Sequence, residues 1–120
     1  HCTNTQNNLL YGTWCINPDF CEKSGLENFT LHISDKLSYL FATNSSGVIL
    51  NNFCKLNYKK ILYAPYIKKQ IISNLSIDYV TPLHDKDVFP SQCIMLFEPT
   101  NCKLTLYTKD KVLVELFKSV

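Results

Sequence analysis

The stretch NFTLHISDKLSYLFATNSSGVIL, residues 28–50, decides the fold class of this 120-residue chain. Phe29, Leu31 and Ile33 alternate with Asn28, Thr30 and His32, the period-2 pattern of a half-buried strand. Ser34-Asp35-Lys36 reads as a turn, after which Leu37, Tyr39 and Phe41 fall on one face of a second strand. Asn44-Ser45-Ser46-Gly47 is the clearest turn in the chain, since these residue types accept the backbone angles of a tight reversal. Val48-Ile49-Leu50 then opens a third strand. Consecutive antiparallel strands are the expectation.

The C-terminal third repeats the pattern. Cys93 to Glu98, Lys103 to Thr108 and Val112 to Phe117 are strand candidates, joined by Pro99-Thr100 and Lys109-Asp110. Between the halves, Ile67, Ile71 and Leu75 recur at helical spacing behind Pro65, whereas Leu75, Ile77 and Tyr79 alternate. This favours a short helix or irregular crossover near 65–73, then a strand over 74–80. Pro82 and Pro90 bracket a polar loop, His84-Asp85-Lys86-Asp87. No repeat, low-complexity tract or linker divides the chain. The reading is mostly β, with residues 1–120 one antiparallel sandwich or small barrel-like domain.

Six cysteines, Cys2, Cys15, Cys21, Cys54, Cys93 and Cys102, share the chain with N-glycosylation sequons at Asn28, Asn44 and Asn74. Together they point to an oxidising, secretory environment, as a secreted chain or on the outer face of a membrane or virion envelope. The chain opens without the basic and apolar regions of a signal peptide, which reads as a mature chain or a trimmed ectodomain. The expected architecture is therefore disulfide-stapled. A Cys15–Cys21 bridge spans a plausible turn over Ile16 to Phe20, leaving Cys2 and Cys54 for Cys93 and Cys102 in an order the sequence does not assign. A two-residue loop at Pro99-Thr100 sets Phe97 opposite Cys102 and Cys93 opposite Leu106. Cys93 and Cys102 are then on the order of 13 Å apart, too far to bridge. No CxxC spacing suggests a metal site or redox centre.

All twelve cationic side chains are lysine, so no guanidinium fork grips an anion bidentately. Charge is segregated: residues 36–77 carry six lysines and no acid. The densest part is Lys55, Lys59, Lys60, Lys68 and Lys69, interleaved with Tyr58, Tyr63 and Tyr66. A basic, aromatic surface of this kind suits an acidic protein partner or a sulfated glycan; the plainer alternative is a solvated lysine face above packed tyrosines. The secretory context disfavours nucleic acid. His1, His32 and His84 are the only histidines, and no GxSxG, HExxH or glycine-rich phosphate loop is present. Neither a catalytic residue, a metal ligand nor a cofactor is assigned, and no apolar run reaches the ~20 residues of a membrane-spanning helix.

Gly12-Thr13-Trp14, placed on a first strand, resembles the Gly-x-Trp signature of lipocalins and their fatty-acid-binding relatives. The resemblance implies a β meander closed into a barrel, a tight bend at Gly12, Trp14 plugging the base, and a small apolar ligand inside. The family sets an arginine against this tryptophan, and this chain has none. In composition the chain also resembles secreted or envelope glycoproteins of AT-rich large DNA viruses, such as poxviruses and herpesviruses. AT-rich protozoan parasites produce similar chains.

The leading expectation is a non-enzymatic glycoprotein domain acting by protein–protein contact through Lys55 to Lys69. It would bind a host receptor or ligand, or serve as a subunit of an envelope glycoprotein complex. The alternative is a lipocalin-like carrier of a small apolar ligand.

Overall fold

The alternating segments pair into a single sheet. The computed structural model describes residues 9–59, 70–81, 83 and 88–119. Eight strands form one closed antiparallel barrel in simple chain order: β1 (Gly12–Ile16), β2 (Leu26–Ile33), β3 (Ser38–Asn44), β4 (Gly47–Asn57), β5 (Ile71–Tyr79), β6 (Gln92–Glu98), β7 (Lys103–Tyr107) and β8 (Val112–Lys118). The seam pairs Trp14 with Lys118, Cys15 with Phe117 and Ile16 with Leu116. Closure leaves neither end strand with an unpaired edge, which resolves sandwich against barrel on the side of the barrel.

An eight-stranded barrel has an interior just wide enough for its own side chains. Here Trp14, Phe29, Leu31, Leu40, Phe97, Leu104, Leu106 and Leu116 fill it, all essentially inaccessible to solvent. Each such side chain contributes roughly 1.5–3 kcal/mol of transfer free energy.

The first hairpin corrects the sequence reading in one respect. Leu37, Tyr39 and Phe41 do share a face, but it is the outer one; Ser38, Leu40 and Ala42 point inward. The cause is register: Leu31 pairs with Leu40 and Phe29 with Ala42, so inward residues of β2 meet inward residues of β3. The turn runs through Leu37, whose carbonyl accepts the Ser34 hydroxyl.

Three further expectations are corrected. Residues 71–73 belong to β5, so the strand starts three residues earlier than alternation suggested; residues 60–69 lie outside the described set. The β6–β7 link is a 3-10 turn, Pro99–Asn101, closed by Cys102 in the left-handed conformation. That turn moves the register so that Phe97 faces Leu104 and Met95 faces Leu106. Cys93 and Cys102 now lie at opposite ends of β6.

The one described helix, α1 (Pro18–Ser24), lies between β1 and β2; of the helix or crossover expected near 65–73, residues 65–69 lie outside the described residues. Its signals are local: the Asn17 side chain accepts from the Asp19 N–H, Pro18 starts the helix, and Gly25 ends it at φ 78°. The Asn17 N–H donates to the Glu115 carbonyl, tying the helix to β8.

Candidate functional site

The two ends of the barrel differ. At one end Trp14 is fully buried and its Nε1 donates to the Leu10 carbonyl over 2.9 Å. Phe97 meets it edge-on at 6.0 Å between ring centroids. Lys118, from the last strand, lies 5.8 Å from the indole centroid and donates to the Leu9 carbonyl over 3.0 Å. In a chain without arginine, a lysine thus lies against Trp14. Gly12, at φ 133°, makes room for it: a Cβ there would lie 2.8 Å from Lys118 Cε. Leu9 and Leu10, both buried, complete the plug.

Among the described residues the opposite end is open. A cavity of about 560 Å³ sits in this mouth, within the range of small-molecule sites. From α1 come Phe20, Lys23 and Ser24; β2 supplies Leu26 and Phe29, and β4 supplies Ile49 and Leu50. Val88, Phe89 and Pro90, just before β6, form another wall, with Thr108, Lys111, Val112 and Leu113 opposite. Phe89 is buried and packs on Phe29 at 5.3 Å, flooring the cavity above the filled interior. Lys23 and Lys111 are exposed at the rim, and among the described residues no carboxylate lines the cavity. The sequence reading missed this site. Its recognisable signal was the helix punctuation from Asn17 to Gly25, which sets Phe20 and Lys23 on the face turned to the mouth.

The expected lysine–tyrosine surface is only partly within the described residues. Lys55 and Lys59 are exposed and Tyr58 is half-buried against the core; Lys60, Tyr63, Tyr66, Lys68 and Lys69 lie outside. Lys55 pairs across the sheet with Asp78, so an acid that is distant in sequence borders the basic run. On the same outer face Phe53 is 53 % exposed and packs at a tilt against Tyr39, 5.0 Å between ring centroids, with Val80 beside it. His32 is exposed, its Nδ1 2.9 Å from the Thr13 hydroxyl; His1 and His84 are outside the described residues.

The described cysteines are not bridged to one another, which removes the staples from the fold as observed; Cys2 lies outside the described residues. Cys54 and Cys93 both point inward. Cys54 faces Tyr79 and Cys93 faces Leu75, which sets them two strands and four residues apart. That is on the order of 15 Å, well beyond the reach of a disulfide. Burial pushes both thiols up to about 11, and burial together with these thiols pushes the Tyr79 phenol up to about 12. The Tyr79 hydroxyl is buried without a hydrogen-bond partner among the described residues. The three sequon asparagines reach the surface: Asn28 and Asn74 are exposed on outer strand faces, and Asn44 lies at the β3–β4 turn.

Comparison with known proteins found no match among family models, curated proteins or solved structures.

Proposed function

We propose that the protein binds a small amphipathic ligand, with an apolar body and an anionic end, in the open mouth of the barrel. The observation that carries this reading is the contrast between the two ends: Trp14, Lys118 and Leu10 plug one, and a cavity of about 560 Å³ occupies the other. The apolar walls supply burial, and Lys23 and Lys111 supply positive charge at the rim. The Gly12-Thr13-Trp14 resemblance to lipocalins supports the same reading. The test is titration with a fluorescent polyene fatty acid and with its alcohol analogue. Saturable binding of the acid, weaker binding of the alcohol, and competition between them are expected. Absence of saturable binding by either compound would sink the proposal.

A second reading, contact with a protein partner, draws support from the exposed Phe53, Tyr39 and Val80 beside Lys55. Phe53→Ser and Lys55→Glu would weaken that contact and leave small-ligand binding untouched. In either reading the chain is a secreted or surface glycoprotein carrying sugar on Asn28, Asn44 and Asn74, with disulfides among its cysteines. One candidate is the Cys15–Cys21 bridge, whose Cys21 thiol in this structure faces the Asn17 and Glu27 carbonyls at 3.9 and 3.6 Å. Peptide mapping under non-reducing conditions decides it.

A further inference from the structure

We infer that an N-glycan on Asn74 covers an apolar strip on the outside of the barrel, an inference that rests on the secretory reading above. Asn74 is exposed in the middle of β5, and the register places Ile94 of β6 directly opposite. Tyr107 of β7 pairs in turn with Ile94 on the same outer face. Two residues along β5, Ile72 is 64 % exposed and faces Leu96. Outward residues of paired strands stand ~5 Å apart, so the first sugar ring of a glycan on Asn74 spans these side chains. Toward the other end of the strand lies a groove of about 390 Å³ whose lining includes Asn57, Ser76 and Gln92. A pyranose ring has apolar C–H faces and hydroxyl edges, and the two sides of Asn74 offer a surface for each.

The other sequons have a smaller apolar surround: the exposed Val48 lies one strand beyond Asn28, and Asn44 pairs with Leu26. Asn28 pairs with Thr43 and donates to its hydroxyl over 3.3 Å. Asn44 sits at a turn, where its side chain accepts from the Ser46 N–H. Their glycans add bulk and solubility. The glycan on Asn74 has in addition a hydrophobic patch to conceal, of the kind that drives association when bare.

The experiment uses the full chain secreted from eukaryotic cells, with glycopeptide analysis at each sequon and light scattering after size exclusion. Ser76→Ala, Thr30→Ala and Ser46→Ala each delete one sequon and keep its asparagine. Expected are occupied Asn74 in the parent chain and a severalfold rise in self-association for Ser76→Ala alone. Adding Ile72→Ser to Ser76→Ala returns the protein to monomer. Unoccupied Asn74 overturns the inference. So does a monodisperse Ser76→Ala variant, or equal association in all three variants. Fluorescent-ligand titration of the same preparations reports on the mouth separately, so loss of the ligand reading leaves this result standing.

Discussion

Lys118 lays its ammonium against the Trp14 ring, 5.8 Å from the centroid, while donating a 3.0 Å hydrogen bond to the Leu9 carbonyl. One side chain therefore joins the last strand, the first strand and the segment preceding it. The contact sits beside the β1–β8 pairing that closes the barrel, so it reinforces the step of greatest sequence separation.

Removing that side chain has a defined cost. Lys118→Ala should lower unfolding stability by about 1–3 kcal/mol through loss of the cation–π contact and the hydrogen bond. Lys118→Arg should restore most of it. Gly12→Ala should destabilise through its φ of 133° and through the 2.8 Å approach to Lys118 Cε. Its cost should be smaller in the Lys118→Ala background, because only the backbone strain remains. Urea midpoints of the parent, Gly12→Ala, Lys118→Ala and the double variant form the double-mutant cycle that checks this.

Charge at the mouth should control ligand capture and leave the fold alone. Lys23→Ala with Lys111→Ala should reduce affinity for the anionic probe, slow its association at low salt, and shift the alcohol analogue little. Thermal unfolding should stay within about 0.5 kcal/mol of the parent, as for exposed side chains generally. Stopped-flow titrations at two ionic strengths make the measurement. Equal loss for acid and alcohol would contradict the assigned role of these lysines.

The register of β3 separates residues that sequence treats alike. Leu40→Ala empties a fully buried position and should cost about 2–5 kcal/mol. Leu37→Ser, at a position 42 % exposed, should cost no more than about 0.5 kcal/mol. Denaturant unfolding of the pair suffices, and a reversed order would mean the opposite face of β3 is inside.

Alkaline pH should expose the two inner thiols. Cys54 and Cys93 titrate near 11 in the folded chain against 9.0 for a free thiol, because burial disfavours the thiolate. A raised folded value adds stability that is complete below pH 9 and lost as pH rises through 11. The loss is on the order of 2 kcal/mol for each thiol. Denaturation midpoints from pH 8 to 11 should fall accordingly, and Cys54→Ala with Cys93→Ala should flatten that part of the profile. At pH 8 both thiols should resist alkylation until the barrel unfolds, a difference readable by mass spectrometry.

Much of the strand order was legible along the chain. The alternation of Phe29, Leu31 and Ile33, the Asn44–Gly47 turn and the three C-terminal strands are local signals, each within one element and its neighbours. The candidate site was not legible, because Phe20, Phe29, Leu50, Phe89 and Lys111 come from five separate segments and meet only in the closed barrel. The helix punctuation at Asn17, Pro18 and Gly25 was present in the sequence, but the five residues between Cys15 and Cys21 read as a turn.

By itself the sequence determined that short amphipathic strands would pair antiparallel, since a period of two leaves one face in need of cover. The roles of Gly12 as a bend and Trp14 as a plug came only from the resemblance to lipocalins. Tertiary structure decided which face of β3 turned inward, since Leu37, Tyr39 and Phe41 offer as plausible an apolar face as Leu40 and Ala42. A slip of one residue exchanges the two, and only pairing with β2 selects between them. Closure was decided the same way. Trp14 and Lys118 become neighbours across the whole length of the barrel sheet, and no local periodicity encodes a contact between its first and last strands.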